Sequence, residues 1–474
     1  MRRTLENLAA ALALPVVAAL APAAILFACS GSDSPAAPAD AGPDVTDEAP
    51  PADVDAGPDA EQPPDIYPAN HQPIPQLDDQ GGPVLDHMKL VTITFFHATP
   101  TDGGAGDAAA IDAGDAGDGG GSVPGVSDEW RDSLRSFDDF IVGPTSSWWS
   151  QTMAGYKVGP GTGGLYAELD DTPVANKSIT DLDIQKLVTD GIAAGTVPPP
   201  QDQILYALYF PSTTQISNFN AAACTDFLGY HDEMTVTSQG APKQVSYAVM
   251  PRCPASTKQA TKDQLTVTAS HELAEAASDP FPTTKGTYRL LTNDAWIPLL
   301  GGGTAGDENG DVCIFAPNYD ESGYKVQPIW SNAAAAASKE PCQPQPPLAS
   351  PIYYGAAVQT PKIKDRGRQV LGYLVVSPGG TTTANLDFFS TAKLPHDARL
   401  YVGRDKGTGD PTDMGVIADG ITAALSRTEA HNGNALTLAV TAPANAVKGD
   451  FHFVVRSVLE TTDFHDWPVI VRVQ

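Results

Sequence analysis

Apolar and polar positions follow two different periods along this chain. Residues 87–97 (HMKLVTITFFH) alternate among β-branched and aromatic side chains, which predicts the first core strand. Trp130, Leu134, Phe137 and Ile141 then recur at helical spacing behind Ser127, the expected cap, and Gly143-Pro144 closes the run. A second helix is expected from the capping pattern at Thr180 and Asp183, with Ile184, Leu187, Val188 and Ile192 facing inward and a stop near Gly195 and Pro198. Residues 203–210 (QILYALYF) and 244–250 (QVSYAVM) read as buried strands, and a short helix around 268–278 is ended by Pro280. Strands and helices intermix up to about residue 345, so an α/β (α+β) layered domain is expected over 73–345. Beyond 346 the pattern changes to short strands at turn-rich intervals (371–377, 384–389, 398–402, 435–440, 451–456 and 468–473). That spacing predicts an all-β, immunoglobulin-like sandwich over 346–474.

Charge and composition add three segments outside these domains. Lys+Arg 28 against Asp+Glu 57 gives a net charge of −29, which argues against nucleic acid as a partner because a phosphate backbone would be repelled. Much of the excess lies in an Ala/Pro/Asp-rich stretch, 30–72, and in an Ala/Gly/Asp-rich insertion, 101–122. Neither has the apolar content to bury a core, and both are expected to be disordered. Residues 1–29 read as an export signal: Arg2-Arg3, an Ala/Leu/Val stretch, then Leu26-Phe27-Ala28-Cys29, similar to a lipobox. Acylation of Cys29 would tether the protein to a membrane by lipid alone, and Ser30 favours an outer-membrane or cell-surface destination; simple secretion is the fallback. Four cysteines remain, Cys224, Cys253, Cys313 and Cys342, and an even number in an exported chain suggests two disulfides. Three pairings are open; Cys224–Cys253 with Cys313–Cys342 is favoured, one bridge on each side of the 268–278 helix.

That helix carries the candidate chemistry. In His271-Glu272-Leu-Ala-Glu275, His271 and Glu275 are one turn apart and share a helix face. This is the zinc-protease pattern H-E-x-x-H with Glu in place of the second His, and it makes the expected fold of 73–345 zincin-like. A surface helix with solvated Glu and His gives the same pattern. A zinc ion bound by His271 and Glu275 needs a third ligand, expected from Glu308, with His231 as the other candidate. Asp311 is expected to accept from the second ring nitrogen of His271 and orient it. Asp307, Asn309 and Asp311 also resemble the start of a calcium loop, which makes calcium a minority alternative. With an open zinc position, Glu272 is the expected general base, and His231 or Tyr288 would steady an oxyanion. Peptides or cell-wall and envelope polymers are the substrates such a site would suit. The alternative is a non-catalytic surface protein that binds glycan or protein, with Trp148, Trp149, Trp296 and Trp330 as sugar platforms and the metal structural or absent. Oligomeric state is not legible.

Taken in order, several segments resemble the EXORDIUM-like, or phosphate-induced, protein family over about residues 81–342. They are Gly81-Gly-Pro-Val84, Ser147-Trp-Trp149, Gly229-Tyr-His231, His271-Glu-Leu-Ala-Glu275, Ala295-Trp296, Glu308-x-x-Asp311-x-Cys313 and Gln327-Pro-Ile-Trp330. The resemblance implies a secreted protein with a metal-site fold, and no firmly assigned reaction. The chain departs from the family in having Cys224 alone before Gly229-x-His231, no second cysteine soon after Cys253-Pro254, and Asp279-Pro280 in place of Asn-Pro.

Overall fold

The computed structural model describes residues 67–98, 125–218, 221–238, 240–289, 308–314, 316–345, 352–361, 363–365, 368–370, 372–403, 420–460 and 463–474. Cys29, the export signal, most of the acidic stretch and the 101–122 insertion lie outside them.

The alternating run becomes strand β1 (Lys89–Ala98), and the continuous apolar run becomes β4 (Ile204–Phe210), buried at every position as a central parallel strand must be. Around them the sheet runs in the order β3 (Thr162–Asp170), β1, β4, β6 (Ala241–Pro251), β5 (Tyr230–Ser238), while β2 (Gly125–Ser127) pairs with the end of β1. Neighbours β3, β1, β4 and β6 are parallel; only β2 and the edge strand β5 run antiparallel to their partners. The period of two splits the strands between two cores. Leu90, Leu205, Ala207, Tyr209, Ala248 and Met250 face helices α1 (Arg131–Ile141), α2 (Ser147–Met153) and α4 (Lys258–Ser278). Val91, Ile93, Tyr206, Leu208, Tyr247 and Val249 face α3 (Asp181–Ala194). The domain is therefore three layers, and its fold class is mixed α/β.

Helix α3 starts and stops as its sequence predicts: Thr180 and Asp183 form the reciprocal capping box, and Gly195 takes the left-handed conformation at the C-cap. The expected cap of α1 is corrected. Ser127 is still extended, paired with Phe96 in β2, and α1 begins after Trp130, whose N–H is taken by Asp128 Oδ1 at 2.7 Å.

One buried acid on α1 gives a stability prediction. Asp138 is fully buried beneath the sheet, accepting from Tyr209 Oη at 2.6 Å and Thr92 Oγ1 at 2.7 Å. Burial pushes its pKa from 3.8 to about 7, against the opposing pull of those two hydrogen bonds. The folded chain therefore holds a proton that the unfolded chain releases, so stability falls as pH rises through that window and is level above it. Over the whole window the loss is on the order of 4 kcal/mol. Asp138→Asn is expected to flatten the fall between pH 4 and 7, read from urea midpoints across that range. An unchanged slope would count against this assignment.

The second half is all sheet. Strands β7 (Tyr354–Val358), β9 (Thr381–Ser390), β12 (Ala435–Thr441) and β11 (Thr422–Leu425) form one sheet in that order. The other runs β8 (Leu374–Val376), β14 (Asp463–Val473), β13 (Gly449–Glu460), β10 (Ala398–Gly403) and a short bridge at Glu429–Ala430. Leu386, Phe388, Leu438 and Val440 of the first share one core with Leu400, Val455, Val469 and Val471 of the second, so the two sheets form a sandwich. That core is continuous with the core above α4. Residues expected in the acidic tether take part: the His71 ring stacks on Phe389 at 3.7 Å, and Gln72 Oε1 accepts from the Thr360 N–H. Apolar neighbours outweigh the local Pro-rich composition there, so the ordered chain begins before residue 73.

Both disulfides form in the favoured pairing, Cys224–Cys253 and Cys313–Cys342. No helix among the described residues is long and apolar enough to cross a membrane.

Candidate metal centre

Helix α4 is buried on every face from Leu265 to Ser278 except at His271, which small residues such as Ala269, Ser270, Ala274, Ala276 and Ala277 make possible. The solvated-helix reading of H-E-x-x-E is thereby overturned. Thr257 caps the helix start, its Oγ1 accepting from Ala260 N, and Pro280 stops it, with Asp279 as C-cap. Edge strand β5 passes over α4 and delivers His231, and the segment before Cys313 delivers Glu308 and Asp311.

Two groups result, and they share Glu275. His231, Glu275 and Glu308 each place one ligand atom within 4.8 Å of the others, and so do His271, Glu272 and Glu275. Glu308 was expected with His271 and Glu275 as one set; it joins His231 instead, with Oε1 3.6 Å from Nε2. The two imidazoles are oriented by the same logic. His271 Nδ1 lies 3.1 Å from Gln327 Oε1, and Gln327 is fixed in turn by donating to Gly310 O at 2.7 Å and by its own N–H to Ser270 Oγ. That leaves His271 Nε2 facing Glu275 Oε1 at 3.1 Å and Asp311 Oδ1 at 3.7 Å. His231 Nε2 lies 3.3 Å from the Asp279 carbonyl, on the side where Glu308 Oε1 also stands, and Nδ1 faces Glu275 Oε2 and Glu272 Oε2, each at 3.5 Å. Metal-bound histidines are held this way, the outer N–H given to a carbonyl and the inner nitrogen freed as ligand.

Asp311 is thus corrected from its expected place. Gln327, not Asp311, takes the outer nitrogen of His271, while Asp311 stands on the inner side and its N–H donates to Glu275 Oε1 at 3.1 Å. Sequence reasoning named Gln327 only within the segment Gln327-Pro-Ile-Trp330 and gave it no role, although a lone polar residue inside the apolar run Val326-Gln327-Pro328-Ile329 is a signal for a buried hydrogen-bonding role. Tyr288 is not in the cluster; its hydroxyl lies 3.5 Å from Asp79 Oδ2, and its ring packs on Tyr156. Of the calcium-loop residues, Asp307 lies outside the described residues, and Asn309 turns its amide to Ser278 Oγ. Trp148, Trp149 and Trp330 are fully buried, which removes them as sugar platforms, and Trp296 lies outside the described residues.

Four carboxylates crowd together here, almost out of contact with water. Glu272, Glu275, Glu308 and Asp311 are 4%, 3%, 7% and 9% exposed. Burial pushes the Glu308 carboxyl well above the usual range despite the pull of His231, and raises Glu272 despite its hydrogen bond to the same ring. Burial also acts on Glu275, yet His271 and His231 outweigh it and hold that carboxyl below the usual range. Both imidazoles show the converse. Burial alone would lower them, but the surrounding carboxylates, Glu308 first for His231 and Glu275 first for His271, hold both well above the ordinary value.

Three observations test whether a divalent cation fits. Glu308 Oε1 and Asp279 Oδ2 are buried without a hydrogen-bond partner, which is costly for a carboxylate unless a cation meets it. Spacings of 3.1–3.7 Å between donor atoms bracket the edge of roughly 3.4 Å that a tetrahedral zinc site has. Two glycines leave the room: a Cβ on Gly310 would sit 2.8 Å from Glu275 Oε1 and from His271 Nδ1, and one on Gly229 would sit 2.8 Å from Glu272 Oε1. Imidazole and carboxylate are donors that a divalent cation accepts.

No family model matches the chain, and no curated protein matches it. Among solved structures, it is similar to the S-layer protein SbsC, domains 4 and 5, at 14% identity and TM-score 0.15, over 25% of this chain and 53% of that one. A family 123 glycoside hydrolase from Clostridium perfringens matches at 8% identity and TM-score 0.18, over 26% of this chain and 27% of that one. A nucleoside hydrolase-related protein from Saccharophagus degradans matches at 15% identity and TM-score 0.16, over 26% of each chain. These matches span about half or less of each neighbour, and TM-scores this low carry no argument about fold or activity.

Proposed function

We propose that the chain is an exported, lipid-anchored metalloprotein whose 73–345 domain is zincin-like, and that it acts as a zinc-dependent hydrolase of peptide-type bonds. One observation carries the reading: each imidazole has its outer nitrogen satisfied and turns the inner one toward a different oxygen of Glu275. His271, Glu275, Glu308 and His231 would hold the metal, which when bound supplies Lewis acidity to a carbonyl and a water of lowered pKa. Glu272 stands next to Glu275's partner ring, 3.5 Å from His231 Nδ1, where its carboxylate can accept a proton from water and return it to a leaving amine. Gln327 and the Asp279 carbonyl keep the two rings from turning. Two disulfides support an oxidising compartment for the folded domain. The export signal, the Cys29 anchor and a peptide or envelope-polymer substrate rest on the sequence reading.

Glu272→Gln is expected to keep bound zinc while hydrolysis of a peptide library falls about 10²–10⁴-fold. Undiminished hydrolysis in that variant would remove Glu272 from the mechanism. The near-complete burial of Glu272 favours a second reading, a structural metal in a non-catalytic surface protein. Zinc retained by a wild-type protein that cleaves nothing in the library would decide for it.

A further inference from the structure

We infer that the centre takes two divalent cations, with Glu275 as the carboxylate bridging them. The inference rests on the reading that the centre binds metal, and adds a second site to it. Each oxygen of Glu275 faces a different imidazole, Oε1 toward His271 Nε2 at 3.1 Å and Oε2 toward His231 Nδ1 at 3.5 Å. Such a split places one site on each side of the carboxylate, as in two-metal hydrolytic sites. The first is the group of His271, Glu272 and Glu275, with Asp311 Oδ1 3.7 Å from the same ring nitrogen. The second is built from His231, Glu275 and Glu308.

Burial supports the same reading. Glu272, Glu275 and Glu308 are all more than nine-tenths buried, and buried carboxylates persist only when paired. One carboxylate oxygen without a hydrogen-bond partner, Glu308 Oε1, is on a residue that only the second group contains.

The test is the metal count of the full exported protein after dialysis against a zinc buffer, by native mass spectrometry and elemental analysis. Two zinc ions per folded chain are expected, falling to one in His231→Ala and one in His271→Ala. Cobalt titration of the metal-depleted wild type, which needs no variant, should show its absorbance change complete at two equivalents. A wild-type count of one, unchanged in His231→Ala, overturns the second site and leaves the single-metal reading standing. A count of zero overturns both. A second ion that disappears in His396→Ala, at the exposed pair His396 and Glu460, would be a surface ion and would also overturn the proposal.

Discussion

Glu275→Ala is expected to release metal from the whole centre, lowering zinc affinity at least about 100-fold, more than loss of an orienting partner alone does. Every close pair in the cluster explains why. Glu275 is the residue common to both donor groups, and its oxygens reach both imidazoles, at 3.1 Å from His271 and 3.5 Å from His231. It also accepts the Asp311 N–H, so its loss orphans a buried donor at a cost of about 1–3 kcal/mol. His271 would lose the charge that raises its pKa most, and His231 one of the charges that raise its own. The check is zinc content with thermal unfolding in the presence and absence of chelator. Wild type should lose stability to chelator, and Glu275→Ala should show no chelator effect. Equal zinc content in the two proteins would place the metal elsewhere.

Removing the Cys313–Cys342 bridge, as Cys313→Ala with Cys342→Ala, is expected to cost about 2–5 kcal/mol of stability. It should also weaken metal binding, although neither sulfur touches the centre. The bridge closes a segment with sequence separation 29 and fastens the Asp311–Cys313 turn to the strand after Trp330. Trp330 N–H donates to Asn309 O at 2.9 Å, and Gln327 reaches Gly310 O, so Glu308 and Asp311 are held by the same short framework that orients His271. Without the bridge, their carboxylates must be ordered against mutual repulsion each time a cation binds. A paired measurement of urea midpoint and zinc affinity separates the effects. The Cys224–Cys253 bridge joins the segments before β5 and after β6, neither of which carries a carboxylate of the centre, and its loss should cost stability with a smaller change in affinity.

Local pattern carried most of the fold. The capping box at Thr180 and Asp183, the all-apolar run of β4, and Pro280 after α4 act through nearest neighbours, and all three stand in the structure as their sequence predicts. The cap of α1 failed because Ser127 is claimed by Phe96, a pairing across a long insertion that no local rule detects. At the site, His271, Glu272 and Glu275 were legible because one helix turn sets their spacing. Which ring Glu308 meets was not, since it depends on how the segment before Cys313 lies against edge strand β5. The role of Gln327 was missed for a related reason: its side chain acts through an imidazole that is distant in sequence, and only tertiary packing brings the two together. The tryptophans looked available for sugar because composition says nothing about burial, and the core took them.

Anomalous scattering at the zinc edge, from crystals of protein purified without chelator, tests the central claim most directly. The account predicts density against Glu275, between its oxygens and the inner nitrogens of His271 and His231. Crystals grown with zinc present that show no anomalous peak there, and His231 hydrogen-bonded to Glu272 and Glu308 as a protonated ring, would contradict it.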